Sequence, residues 1–371
     1  MYKITIIILS FSGLLMGDDY SFNFDELTQI ELKDYEYNGY IKSEHKLQLL
    51  NNNSPQYPKK NKDTMQSVYG EAYVKGLYFK DNYTFQTDLM ANYENIDNDE
   101  DNKNTINQLF LKYKYDNNHQ IYFGKKTSKW GKGYFFNPVA FIDRKKDPNN
   151  PESSREGYTQ LNYKFNKVYK SDIKNVSVDV IYFRTTNVEN NDFYDGDSQN
   201  IAIKTYLLYK DIDIDFTYLN NDKLANKYGV DFSTNLQTNF EIHGEYSIDD
   251  KSLYSYLLGL KYLTNTDLTI TSEYFFQKEQ LLKSEPFWDN KYFVNKLSQK
   301  EPFDILYSNI YYKNSINLSD NSMQNSLGIV LTNIKNLEID FSIGKNSGDK
   351  KSEFGTKLVD TFSWLQVKYS F

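Results

Sequence analysis

Along most of this chain apolar and polar side chains alternate with a period of two. In the stretch from Tyr35 to Leu50, Tyr35, Tyr37, Ile41, Leu47 and Leu49 share one face with Gly39, Ser43 and His45. Glu36, Lys42, Glu44, Lys46 and Gln48 share the other. The pattern recurs at Tyr83, Phe85, Leu89, Ala91 and Tyr93, at Ile212 to Tyr218, at Phe240 to Tyr246, at Leu268 to Tyr274 and at Leu337 to Ile343. The end of the chain repeats it, with Leu365, Val367, Tyr369 and Phe371 opposite Gln366, Lys368 and Ser370. Side chains on successive strand residues point to opposite faces, so dyad alternation predicts strands with one apolar and one polar face.

The segments between these strands alternate in length. Short ones fall at Lys80 to Asn82, Asp116 to His119, around Lys210 and Asp211, Asn235 to Thr238, Leu263 to Asp267 and Asn333 to Lys335. Long ones run from Asn51 to Asp63, Ile96 to Asn104, Lys126 to Gly157, Thr185 to Ser198, Asn220 to Asn226, Gln277 to Asn290 and Lys345 to Thr361. One quiet rim and one elaborated rim predict an all-β, transmembrane antiparallel up-and-down barrel, in which both chain ends share a rim and the strand number is even. Counting "NKYFVNKL" (Asn290 to Leu297) as a strand gives about 18 strands at roughly 20 residues each, and leaving it in a loop gives about 16.

Composition sharpens this picture. Hydrophobic residues make up 39% of the 371, yet 34 Tyr and 25 Phe bring aromatics to 17%. A chain polar on average but rich in amphipathic rings suits a barrel girdled by aromatics at two membrane surfaces better than a soluble core. Lys3, the apolar run from Ile4 to Met16 and small Gly17 read as a signal peptide over residues 1–17. Residues 18–34 read as a periplasmic lead-in and residues 35–371 as the barrel. The chain has no cysteine, hence no disulfide, and its net charge of -7 argues against a nucleic-acid partner.

With Tyr369 and Phe371 at its end, the chain resembles the Gram-negative outer-membrane β-barrel family, whose members commonly end in Phe with an aromatic two positions earlier. That resemblance implies residence in the bacterial outer membrane among lipid and lipopolysaccharide. It also implies that the barrel-assembly machinery reads the last strand through Tyr369 and Phe371.

The segment "KKTSKWGKGYFFNPVAFIDRKKDPNNPESSREG" is too apolar for a solvated loop. In position and length it resembles the third-loop constriction of porins, and its opening Trp130, Gly131 and Gly133 look like loops of uncharacterised porin-like barrels. The resemblance implies a pore constriction at Trp130, Asp143, Arg144, Lys145, Lys146 and Asp147. The polar strand faces supply the expected lumen wall: Asp88, Asp213, Asp215, Glu241, Glu245, Glu273, Glu338 and Asp340. A mildly acidic wall facing a basic loop is the electrostatic expectation.

No nucleophile elbow, phosphate-binding loop or zinc-protease motif is present, so no catalytic residue, cofactor or metal site is assigned. The acidic run Asp97, Asp99 and Asp101 has calcium-loop spacing but lacks the sixth-position Gly and has Gln108 where a bidentate Glu is needed. It reads as a solvated surface loop. The expected function is a porin-like channel for passive diffusion of small hydrophilic solutes. Its alternatives are a partner-dependent transport barrel for a hydrophobic or polymeric substrate, and a plugged structural or adhesive barrel. Extended polar walls do not distinguish a monomer from a homotrimer.

Overall fold

The computed structural model describes residues 33–57, 62–148, 151, 156–279 and 288–371. The signal peptide expected at 1–17 and all but the last two residues of the lead-in lie outside the described residues. From Tyr35 to Phe371 the chain forms a single 18-stranded antiparallel sheet in which each strand pairs with its sequence neighbours. β1 (Tyr35–Leu50) pairs with β2 (Thr64–Lys80) on one side and with β18 (Val359–Ser370) on the other, so the sheet closes on itself. Closure removes the free edge that a bilayer cannot tolerate, where each unpaired backbone group costs several kcal/mol.

The remaining strands follow in chain order. They are β3 (Tyr83–Ile96), β4 (Asp99–Lys114), β5 (His119–Lys126), β6 (Tyr158–Val168), β7 (Ile173–Thr185) and β8 (Ser198–Tyr209). After them come β9 (Ile212–Asn221), β10 (Lys227–Gln237), β11 (Phe240–Asp249), β12 (Tyr254–Leu263) and β13 (Leu268–Glu279). β14 (Trp288–Lys300), β15 (Ser308–Asn317), β16 (Ser322–Ile334) and β17 (Leu337–Ser347) complete the wall. The count is 18 because "NKYFVNKL" is a strand, and the 16-strand alternative is excluded.

The apolar members of the dyad patterns face outward. Ile41, Leu47 and Leu49 on β1, Phe85 and Leu89 on β3, Phe216 on β9, Leu258 on β12, and Phe341 and Ile343 on β17 are all exposed. Exposed rings ring the short-turn rim: Tyr37, Tyr78, Tyr83, Tyr115, Tyr169, Tyr209 and Phe371. An apolar belt bordered by amphipathic rings matches hydrocarbon between two wet interfaces.

The seam is fastened at both ends. At the short-turn rim the Gly39 N–H donates to the Phe371 carbonyl (3.0 Å), and the Phe371 N–H donates back to Gly39 (2.9 Å). A side chain at Gly39 would meet the Phe371 ring at 2.8 Å, so glycine makes room for the closing aromatic. At the other rim Asn51 Nδ2 donates to the Gly355 carbonyl (2.8 Å) and Ser54 Oγ to the Thr356 carbonyl (2.8 Å).

One expected long loop does not exist. β3 and β4 meet at a two-residue turn, Asp97 and Asn98, both left-handed, with the Asn98 N–H bonded to Asn95 Oδ1 (3.1 Å). Two such residues, stabilised by a local Asn side chain, make the tight hairpin whose twist fits its strands. Asp97 bonds the Gln66 N–H at 3.1 Å, while Asp99 and Asp101 belong to β4, so the calcium-like spacing gathers no ligands.

A loop folded into the lumen

Between β5 and β6, residues 127–148 turn inward. The entry is fixed by Gln108 Oε1, which accepts from the Thr127 N–H (3.1 Å) and hydroxyl (3.0 Å). Asp143 then accepts the N–H groups of Ser128 (3.0 Å), Lys129 (3.0 Å) and Trp130 (2.8 Å), folding the segment into a closed lobe. Trp130, Phe141 and Ile142 pack on Ile181 and Phe183 of β7, Ala202 of β8 and Leu219 of β9. Trp130 keeps 3% of its surface exposed, Ile142 2% and Val139 none. Each such side chain contributes about 1.5–3 kcal/mol on burial, which offsets the entropy of ordering a long loop.

Two wall carboxylates grip the loop backbone. Glu245 Oε1 accepts the N–H groups of Lys132 (2.6 Å) and Gly133 (2.6 Å), and its Oε2 accepts that of Val139 (3.2 Å). Glu273 accepts from Tyr134, from Phe135 (3.0 Å) and from Phe136 (3.2 Å), and also bonds His243 Nε2 at 3.1 Å. Consecutive N–H groups converge on one anion when the backbone curls around it, which here needs Gly131 at φ 89°.

The loop also carries its own cation to the wall. Lys132 Nζ lies 2.9 Å from Asp215 and 3.9 Å from Asp231, and Lys204 reaches Asp215 at 3.3 Å. Asp215, Asp231 and Glu245 are direct cross-strand neighbours on β9, β10 and β11. Three buried carboxylates in one row repel one another, and the Lys132 ammonium beside Asp215 and Asp231 offsets part of that repulsion. Burial would lower the Lys132 pKa, but the charge of Asp215, followed by that of Asp231, raises it above the ordinary lysine value. For Tyr134, burial and then Glu241, which accepts its hydroxyl at 3.0 Å, push the phenol pKa up.

The other residues of the sequence-derived constriction are in or beside this lobe. Arg144 pairs with Glu156 (3.4 Å) and Asp192 and lies over the Tyr158 ring at 5.1 Å. Lys146 donates to the Gly133 carbonyl, and Lys313 of β15 holds the far end through the Pro148 carbonyl. Asp143 is thus a fastening of the loop rather than an outward charge, while Lys145 lines the cavity above it.

No protein-family model and no curated protein sequence matches the chain. Among solved structures it is similar to OccAB4 of Acinetobacter baumannii, at TM-score 0.59 and 12% identity over 91% of this chain and 98% of that one. It is similar to a triple mutant of the Rhodopseudomonas blastica porin at TM-score 0.50 and 12% identity, over 91% and 100% of the two chains. This chain has the fold of a Gram-negative outer-membrane porin. Wzi of Escherichia coli, an outer-membrane protein involved in group 1 capsule assembly and a carbohydrate-binding β-barrel, is also similar, at TM-score 0.57 and 10% identity over 94% and 86% of the chains.

In this porin-like barrel the expected wall acids fall into two groups. Asp215, Glu245 and Glu273 are fully buried beneath the loop, with Asp213 and Glu241 beside them bonded to Tyr206 and Tyr134. Asp88, Glu338 and Asp340 face inward elsewhere. Asp88 is satisfied by Tyr73 (3.0 Å) and Gln108 (2.6 Å), and Asp340 by Tyr311 (3.0 Å). Above the loop lies a cavity of about 850 Å³, bounded by the lobe, the walls from β10 to β15 and residues 353–357. Five lysines line it, Lys145, Lys146, Lys227, Lys278 and Lys357, against Asp143, Asp249 and Glu353 among the described residues. All three acids accept hydrogen bonds from the protein. Asp249 takes the Leu253 N–H (2.9 Å), and Glu353 takes the Tyr292 hydroxyl (2.7 Å) and the Asn317 amide (2.8 Å). Lysines thus outnumber acids five to three in the described lining, and the loop covers Asp215, Glu245 and Glu273 of the expected acidic wall.

Sequence reasoning missed Lys132 and the apolar inner patch. A signal for the patch exists: "VDVIYF" (Val178 to Phe183) is apolar on both faces near its end, as a strand covered on both sides must be.

Proposed function

We propose that this chain is an outer-membrane porin-like channel for small hydrophilic solutes, narrowed by the inserted loop and favouring anions at its mouth. The observation that carries this reading is the loop itself, held against one inner wall by Glu245, Glu273 and Lys132. A fixed lobe against one wall restricts solutes to the opposite side, where the inward residues are polar and include Lys42, Glu44, Glu71 and Lys368. The lysine-lined cavity raises the local concentration of anions, an effect that weakens with salt.

The test is swelling of liposomes containing the protein, with matched anionic, neutral and cationic solutes of increasing size. Faster entry of small anions, and entry of larger solutes after deletion of residues 130–150, is expected. Equal exclusion of every solute by folded protein contradicts the channel reading. A barrel that holds saccharide rather than passing it is a second reading. It is favoured by the rings of Tyr254, Phe275, Tyr292 and Phe354 in the cavity and by the likeness to Wzi, and predicts binding without swelling.

A further inference from the structure

The connection between β14 and β15 breaks the habit of its rim. Its neighbours at residues 264–267 and 335–336 are short, whereas residues 301–307 form a longer turn bearing Phe303, Ile305, Leu306 and Tyr307. These side chains are among the most exposed apolar groups described, at 89%, 52%, 65% and 60%. The turn is not slack. Glu301, Phe303, Asp304 and Tyr307 all sit at positive φ, between 46° and 59°, a region that non-glycine residues occupy only when neighbouring bonds hold them there.

The bonds that hold the turn also show which way it leans. Ser308 has the outward parity of Ile310 and Tyr312 on β15, yet is only 3% exposed. Its hydroxyl donates to the Ile305 carbonyl (2.7 Å), so the turn folds back over the outer face of the barrel. The Thr332 N–H of β16 clamps it through the Tyr307 carbonyl at 2.9 Å. Beside it Ile334, at the end of the same strand, is 55% exposed. Elsewhere on this rim the exposed rings are mostly tyrosines, which keep a polar tip in water, but Phe303, Ile305 and Leu306 have none.

We infer that residues 303–306 are an interfacial anchor that enters the headgroup and acyl boundary of the periplasmic leaflet. The occupant is lipid because the turn lies on the outer face, continuous with the apolar belt, and not over the lumen. The inference rests on the membrane placement proposed above. An anchor on one side of the barrel fixes its depth and resists tilting there, in a way that the shorter, less apolar turns cannot.

The experiment is fluorescence quenching of Phe303→Trp in the full chain, reconstituted in phosphatidylcholine brominated at different acyl depths. The unsubstituted protein supplies the background of the native tryptophans. Leu258→Trp, in the middle of the belt, is the control for membrane placement, and heat-modifiable migration on gels confirms folding of both. The expected result is quenching at position 303 by shallow bromines more than by deep ones, with the reverse order at position 258. Quenching at 258 with none at 303 overturns the anchor. In that case acrylamide access shows the turn to be in water, and protection that grows with protein-to-lipid ratio shows a second copy seated on it. No quenching at either position overturns the membrane placement and the anchor together.

Discussion

Replacing Glu245 by alanine should release the inserted loop while leaving the barrel closed. The substitution strands three N–H donors, those of Lys132, Gly133 and Val139, which now reach a carboxylate at 2.6–3.2 Å. A buried donor without an acceptor costs about 1–3 kcal/mol, so three would total several. Two effects reduce this. Lumen water can solvate part of the freed backbone, and removing Glu245 relieves its repulsion with Asp231, its direct cross-strand neighbour. A net loss of about 3 kcal/mol is the working figure, which shifts the docked-to-released ratio by more than about a hundredfold. The assay is tryptic cleavage at Lys145 and Lys146 in folded, heat-modifiable protein, followed together with the emission of buried Trp130. Cleavage should accelerate and emission move to the red, whereas Glu245→Gln, which keeps an acceptor oxygen, should show a smaller change. Wild-type cleavage and emission in Glu245→Ala would refute the claim that this carboxylate holds the loop.

Lys132→Met removes the nearest ammonium from Asp215 and Asp231, and should loosen the same loop in the same cleavage assay. Because the folded pKa of Lys132 is raised, its contribution is fully present below the ordinary lysine value and is lost only as pH climbs through the higher folded one. Loop protection should therefore persist through the pH range where exposed lysines titrate, and loss of protection already at neutral pH would contradict the ion pair. Gly39→Val sets a side chain against the Phe371 ring and the Tyr73 carbonyl, so it should reduce the yield of heat-modifiable barrel, measured on gels, without altering the loop.

Much of the fold was legible because a barrel wall writes its two environments into alternate residues. Ile339, Phe341 and Ile343 opposite Glu338, Asp340 and Ser342 need only the period of two to be read. The pattern fails where the backbone departs from it. Ile106 and Leu109 both face outward although three positions apart, because the register of β4 shifts against β3 between Asp88 and Leu89. The Asp97–Asn98 hairpin was hidden for a related reason, since a run of acids and amides looks the same in a loop as in the exposed end of a strand.

The inserted loop was legible as an apolar segment needing a surface, but its fastenings were not. Glu245 and Glu273 alternate on their strands as any wall acid does, and nothing local marks which acids will meet six backbone N–H groups from a loop more than a hundred residues earlier. Lys132 was passed over because the basic run Arg144 to Lys146 is denser. Density of charge in sequence is a poor guide to which single ammonium reaches a buried row of carboxylates.

The most direct measurement of the central claim is single-channel conductance of the folded protein in a planar bilayer, with the reversal potential taken under a salt gradient. Steady openings whose reversal potential favours anions are expected, with a larger conductance after residues 130–150 are deleted. Silence from heat-modifiable protein, or a deletion that leaves conductance unchanged, would contradict it.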